Sequence, residues 1–197
     1  MIAALYVDRG GAYDRIPGID LWPIDRDARE YPGPWPVVAH PPCQRWGRLG
    51  AAAYQRWGGE HNRPGNDHGC FAAALSAVER WGGVLEHPAQ SHAWPTFGIQ
   101  RPARGCWTQT RVGWTCEVAQ SAYGHRAIKM TWLYYVGCNQ PPALCWIRPK
   151  GTHQIGFPDR RGRARNRPTL RGKDASATPP LFRNLLIELS RLSKESP

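Results

Sequence analysis

Apolar positions in this chain come in short runs broken by proline, glycine and charge. Ala3 to Val7 predicts a strand, and Asp8-Arg9-Gly10-Gly11 predicts a turn directly after it. Residues 14 to 36 mix charges with proline and glycine, show no helical period, and predict a connection with at most one short element. Val37-Val38-Ala39 predicts a buried strand that stops where Pro41-Pro42 removes the ladder donor. Residues 47 to 69 are glycine-rich and polar and read as a loop. Phe71, Leu75, Val78 and Trp81 recur at helical spacing, so a helix is expected from about Gly69 to Trp81, capped by Asn66 or Asp67 and stopped by Gly82-Gly83. Val84-Leu85 predicts a short strand and Ala89 to Gly105 a loop. The alternation of Val112, Trp114, Cys116 and Val118 predicts a strand with one apolar face. Tyr123-Gly124-His125 reads as a turn, and Thr131 to Gly137 carries the strongest strand signal. Thr178-Pro179-Pro180 opens a last helix with Thr178 as N-cap and an apolar stripe of Leu181, Leu185, Leu189 and Leu192.

Strands alternating with helices predict an α/β domain, a minimal Rossmann-like open sheet with helices on its faces. The 197 residues suffice for one such core. The expected organisation is a catalytic core over 1–137, a short basic insertion over 138–177, and a C-terminal helix over 178–197 packing back on the core.

Charge adds a partner class. The formal net charge is +11, with 26 Lys+Arg against 15 Asp+Glu, which favours a polyanion. Much of the excess lies between Arg148 and Lys173, where Arg160, Arg161, Arg163, Arg165 and Arg167 alternate with glycine, proline and alanine. That pattern suits an arm laid along a phosphate backbone, so double-stranded DNA is the expected partner. No apolar run approaches the ~20 residues of a spanning helix, and Asp8 comes too early for a secretory segment. The six cysteines include no C-x-x-C pair and are expected to be reduced thiols of a cytoplasmic protein. His61, Asp67, His68 and Cys70 fit no standard zinc spacing, and no metal is expected.

Two predicted strands end in reactive residues. Cys43 follows Pro41-Pro42 with Arg45 and Trp46 close behind, and Glu86 follows Val84-Leu85. The carboxyl ends of strands in open α/β sheets are where ligands collect. Together with the block Tyr123-Gly124-His125-Arg126-Ala127-Ile128-Lys129-Met130-Thr131 and Val136-Gly137, this order resembles the DNA cytosine-C5 methyltransferase family and its short phage-type relatives. Pro42-Cys43 matches the family's Pro-Cys, and Glu86-His87 stands where Glu-Asn is usual. Lys129 falls on the first arginine of the third motif. Thr131 replaces the second arginine and Ala127 the glutamine. Ala177-Thr178-Pro179-Pro180 is similar to the start of the family's closing helix.

The resemblance implies a cytosine C5-modifying enzyme that flips its target base out of the duplex. Cys43 would add as a thiolate to C6 and make C5 nucleophilic, while Glu86 would assist at N3. Arg45 or Lys129 would lower the thiol pKa or hold a phosphate. Trp46 would line the pocket or fill the vacated stack, and Arg126 would join the nucleic-acid contacts. The implied cofactor is S-adenosylmethionine, with Asp8, Gly10, Gly11 and Asp27 as the positions left to hold it. The family's Phe-x-Gly-x-Gly loop is absent, and another one-carbon donor stays open. So do a non-catalytic DNA-binding protein on the same core and a thiol enzyme acting on free pyrimidine nucleotides.

Overall fold

A computed structural model describes residues 1–137, 140–155 and 167–193, with the backbone alone described at Arg48 and Leu49. The first apolar run forms β1 (Ile2–Leu5), and a connection without a helix leads to β2 (Ile19–Trp22). β3 (Val37–Ala39) is followed by two helices, α1 (Arg48–Trp57) and α2 (Cys70–Trp81), and then by β4 (Gly83–Pro88). A single helical turn, α3 (Ala93–Thr96), precedes β5 (Thr108–Gln109), β6 (Trp114–Ala119) and β7 (Met130–Val136). Past these lie a small pair, β8 (Gln154–Ile155) and β9 (Thr169–Leu170), then α4 (Gly172–Ser176) and α5 (Pro180–Leu192).

The main sheet runs β2-β1-β3-β4-β7-β6-β5. Its first four strands are parallel, while β7 is antiparallel to both β4 and β6. This is a mixed α/β fold of the Rossmann-like kind. The chain leaves β1 for β2 on one side and returns to β3 on the other, so the order reverses between β1 and β3. A crevice outside the carboxyl ends of those strands is where such sheets bind ligands.

The pleat divides the core into two layers. Leu5, Val37, Ala39 and Leu85 meet Phe71, Ala74, Leu75 and Val78 of α2, with Trp46 and Trp94. Ala4, Val38, Val84 and Leu133 meet Phe182, Leu186, Ile187 and Leu189 of α5, with Tyr13. The Ser190 hydroxyl fixes α5 to the sheet by donating to the Val37 carbonyl at 2.9 Å. Gly83 is required where β4 begins: its φ is +118°, and a Cβ there would meet the Val37 carbonyl oxygen at 2.0 Å.

Several expectations are corrected. Residues 47 to 69 hold α1 rather than a continuous loop, because Ala51, Ala52 and Ala53 favour helix without supplying a bulky stripe. The connection over 14–36 contains β2 and a 3-10 turn, Ala28–Glu30. Glu86 and His87 lie within β4, not after it. Val112 is exposed and precedes β6. On α5 the buried stripe is Phe182, Leu186, Ile187, Leu189 and Ser190, while Leu181 is exposed; the N-cap is Pro179, not Thr178. Among the described residues no helix is long and apolar enough to cross a membrane.

Candidate functional site

The residue after β3 continues its pairing, since the His40 amide donates to the Leu5 carbonyl at 3.1 Å. Pro41 and Pro42 then turn the chain, and Cys43 is placed just beyond the end of β3, half-buried. α1 packs closely on this loop, because a Cβ at Gly50 would lie 2.2 Å from the Gln44 carbonyl oxygen. Glu86 sits on the neighbouring strand with its side chain toward the α5 layer. Lys129 precedes β7, where its ammonium donates to the Ser176 carbonyl at 3.1 Å.

These three side chains share one electrostatic environment. Burial raises the Cys43 thiol above its ordinary range, the Glu86 carboxylate raises it further, and Lys129 opposes both. Burial also resists ionisation of Glu86, but the His40 hydrogen bond and the Lys129 charge, with smaller contributions from the neighbouring imidazoles, outweigh it, and the pKa falls to about 2. Glu86 is therefore a carboxylate at rest, so any proton it gives must first be taken up.

Both Glu86 oxygens are occupied. Oε2 lies 2.9 Å from His40 Nδ1, and Oε1 accepts from the Gln120 amide at 3.1 Å. Gln120 also donates to the Thr131 hydroxyl at 2.9 Å, and His40 Nε2 lies 2.8 Å from the Tyr13 hydroxyl. Tyr13 is buried, and burial and then Glu86 hold its phenol well above the ordinary range, so it stays protonated. On the opposite face of β4, burial lowers His87 to about 4, so its ring is neutral. Its Nδ1 meets the Ser91 hydroxyl at 2.7 Å, and the ring packs against Phe71 and Trp94.

Of the two cations expected near the thiol, Lys129 acts on Cys43 and Arg45 does not. Arg45 instead lines an open cleft of about 600 Å³ with Glu60, Arg63, His92 and Thr96. Trp46 contributes an edge to that cleft but is 5 % exposed, and its indole N–H donates to Asp67 at 2.8 Å. That bond fixes the ring where it lines the edge of the cleft. The N-cap of α2 is Gly69 rather than Asn66 or Asp67, though Asp67 accepts the Gly69 amide at 3.0 Å and the Phe71 amide at 2.8 Å. Arg126 is exposed and its guanidinium contacts the His153 ring. Arg167 is exposed, and Arg160, Arg161, Arg163 and Arg165 lie outside the described residues.

The residues left for S-adenosylmethionine do not form a cradle. The Gly11 amide donates to the Asp8 carbonyl at 3.0 Å and the Gly10 amide to the Asp14 carboxylate at 3.1 Å, so the turn's donors are used within it. Asp27 is held by the Arg29 guanidinium, and Asp25 by Arg9. Neither acid is left to itself at the end of β2.

His40, Gln120 and Tyr13 were not predicted from the sequence. His40 sits inside the Pro-Pro-Cys segment, and the signal that could have marked it is the period of β3, which puts it on the same face as Val38. Gln120 and Tyr13 lie in turns with no local signature.

No family model matches the chain. No curated protein or solved structure is significantly similar to it either.

Proposed function

We infer that the protein modifies cytosine at C5 in DNA, with Cys43 as the nucleophile that adds to C6 of a flipped base. The observation that carries this reading is the convergence of Cys43, Glu86 and Lys129. They come from three separate segments, Cys43 just after β3, Glu86 within β4 and Lys129 just before β7, and Glu86 and Lys129 both act on the thiol. A structural cysteine needs no such neighbours. The order reversal between β1 and β3 supports the reading, because it places the Cys43 loop at the crevice edge.

In the chemical step the Cys43 thiolate bonds to C6, the C5–C6 π pair moves into the ring, and N3 takes a proton. C5 is then electron-rich, takes an electrophile, loses its hydrogen as a proton, and sulfur leaves. Glu86 stands beside the ring as the acceptor of the base's N–H groups and the conduit for the N3 proton. The methyltransferase-type part of the fold is the Cys43 and Glu86 half. Since the Asp8 to Asp27 segment does not fit S-adenosylmethionine, the identity of the electrophile is left to experiment.

The duplex reading rests on the positive charge and on the exposed cations Arg126, just before Lys129, Lys150, before β8, and Arg167 and Arg171, on either side of β9. Nucleoside mass spectrometry of DNA from cells expressing the protein tests the reading. A new cytosine derivative is expected in wild-type samples and absent with Cys43→Ala, and its mass identifies the transferred group. A derivative that persists in the Cys43→Ala sample would remove Cys43 from the chemistry.

A further inference from the structure

The hydrogen-bond chain that ends on Glu86 runs through a histidine whose two ring nitrogens both have partners. His40 Nδ1 is 2.9 Å from Glu86 Oε2, and Nε2 is 2.8 Å from the Tyr13 hydroxyl. A hydroxyl both donates and accepts. With both ring nitrogens protonated, Nδ1–H donates to Glu86 and Nε2–H donates to Tyr13. With the Nδ1 proton transferred to Glu86, Nε2–H still donates to Tyr13 and the vacant Nδ1 accepts from the new carboxyl O–H. In each state both His40 ring nitrogens keep a hydrogen-bond partner with no heavy atom displaced. Gln120 differs, since its amide N–H anchors the other Glu86 oxygen and has no proton to give.

We propose that His40 is a positioning residue that supplies, through Glu86, the proton received by N3 of the base when Cys43 adds to C6. The step balances. The Cys43 thiol first gives its proton to solvent, the resulting thiolate forms the S–C6 bond, the His40 Nδ1 proton passes to Glu86 Oε2, the carboxyl proton passes to N3, and the site is left with neutral His40 and ionised Glu86. The Tyr13 oxygen holds Nε2–H throughout, which fixes the tautomer that can be reprotonated at Nδ1. This deepens the reading of Cys43 as a nucleophile toward a pyrimidine and rests on it.

Formation of the C6 adduct makes C5 exchange its hydrogen with solvent, so exchange into deuterium oxide follows the step without a donor. The rate is measured against pH on a cytosine-containing duplex. The charged and titratable groups facing the pair are Lys129 before β7, Tyr13 after β1, His87 across β4 and Cys43 itself, and Arg183 of α5 acts on Tyr13. Assignment therefore depends on variants. His40→Gln should slow exchange at least tenfold and change the shape of its pH profile. Tyr13→Phe, which deletes one buried oxygen, should keep the wild-type profile with a smaller loss. Equal pH profiles in the wild type and His40→Gln would overturn the role of His40 while leaving Cys43 as nucleophile. Absence of exchange in the wild type would overturn both.

Discussion

Glu86 and His87 are adjacent on β4 and face opposite layers, and because both have lowered pKa values both lose stability as pH falls. His87 is held neutral by burial at about 4, below the ordinary imidazole value, so the unfolded chain binds its proton first. Stability is therefore lost as pH falls from about 6.5 to about 4. Glu86 has a lowered pKa, so its contribution is present above the ordinary carboxylate value and is lost as pH falls toward about 2. Urea midpoints measured from pH 7 to pH 3 should fall in two stages. His87→Gln should flatten the upper stage, with the part owed to His125, also lowered by burial, remaining. An upper stage of unchanged depth in His87→Gln would contradict this assignment. At this scale the sequence made Cys43, Glu86 and Lys129 legible because each stands beside a strand signal. It left His40, Gln120 and Tyr13 unread, because their importance comes from where the sheet brings them rather than from local composition.

The elements were legible wherever apolar residues repeat with bulk. β3, α2 and β7 have the expected place, since Val37-Val38, Phe71 to Trp81 and Trp132 to Val136 bury large side chains at the period of their element. α1 was hidden by small residues and flanking glycines, and β2 by its brevity at the sheet edge. The register of α5 was misread because leucine alone was used to draw its stripe. Phe182 and Ser190 lie on the buried face and Leu181 outside it, so the helix is rotated from the leucine pattern. Leu186→Ala should cost about 2–5 kcal/mol in urea unfolding, whereas Leu181→Ala should stay within about 0.5 kcal/mol. Equal losses in the two variants would contradict the packing of α5 on β1, β3 and β4.

The whole molecule joins a parallel strand edge carrying Cys43 and Glu86 to segments with exposed arginine. Charge bears on partner class and association, not on fold. Chemistry on a base inside a duplex also requires that the base leave the stack. The connection between β1 and β2 holds no helix, and Asp25 and Asp27 beyond β2 are paired with Arg9 and Arg29. The most direct measurement is exchange of the cytosine C5 hydrogen for deuterium, without added donor, on a duplex, on the single strand and on deoxycytidine monophosphate. Cys43-dependent exchange on the duplex, lost with Cys43→Ala and slow on the mononucleotide, is the predicted result. Exchange on the mononucleotide alone would make the protein a nucleotide enzyme, and exchange unaffected by Cys43→Ala would contradict the account at its centre.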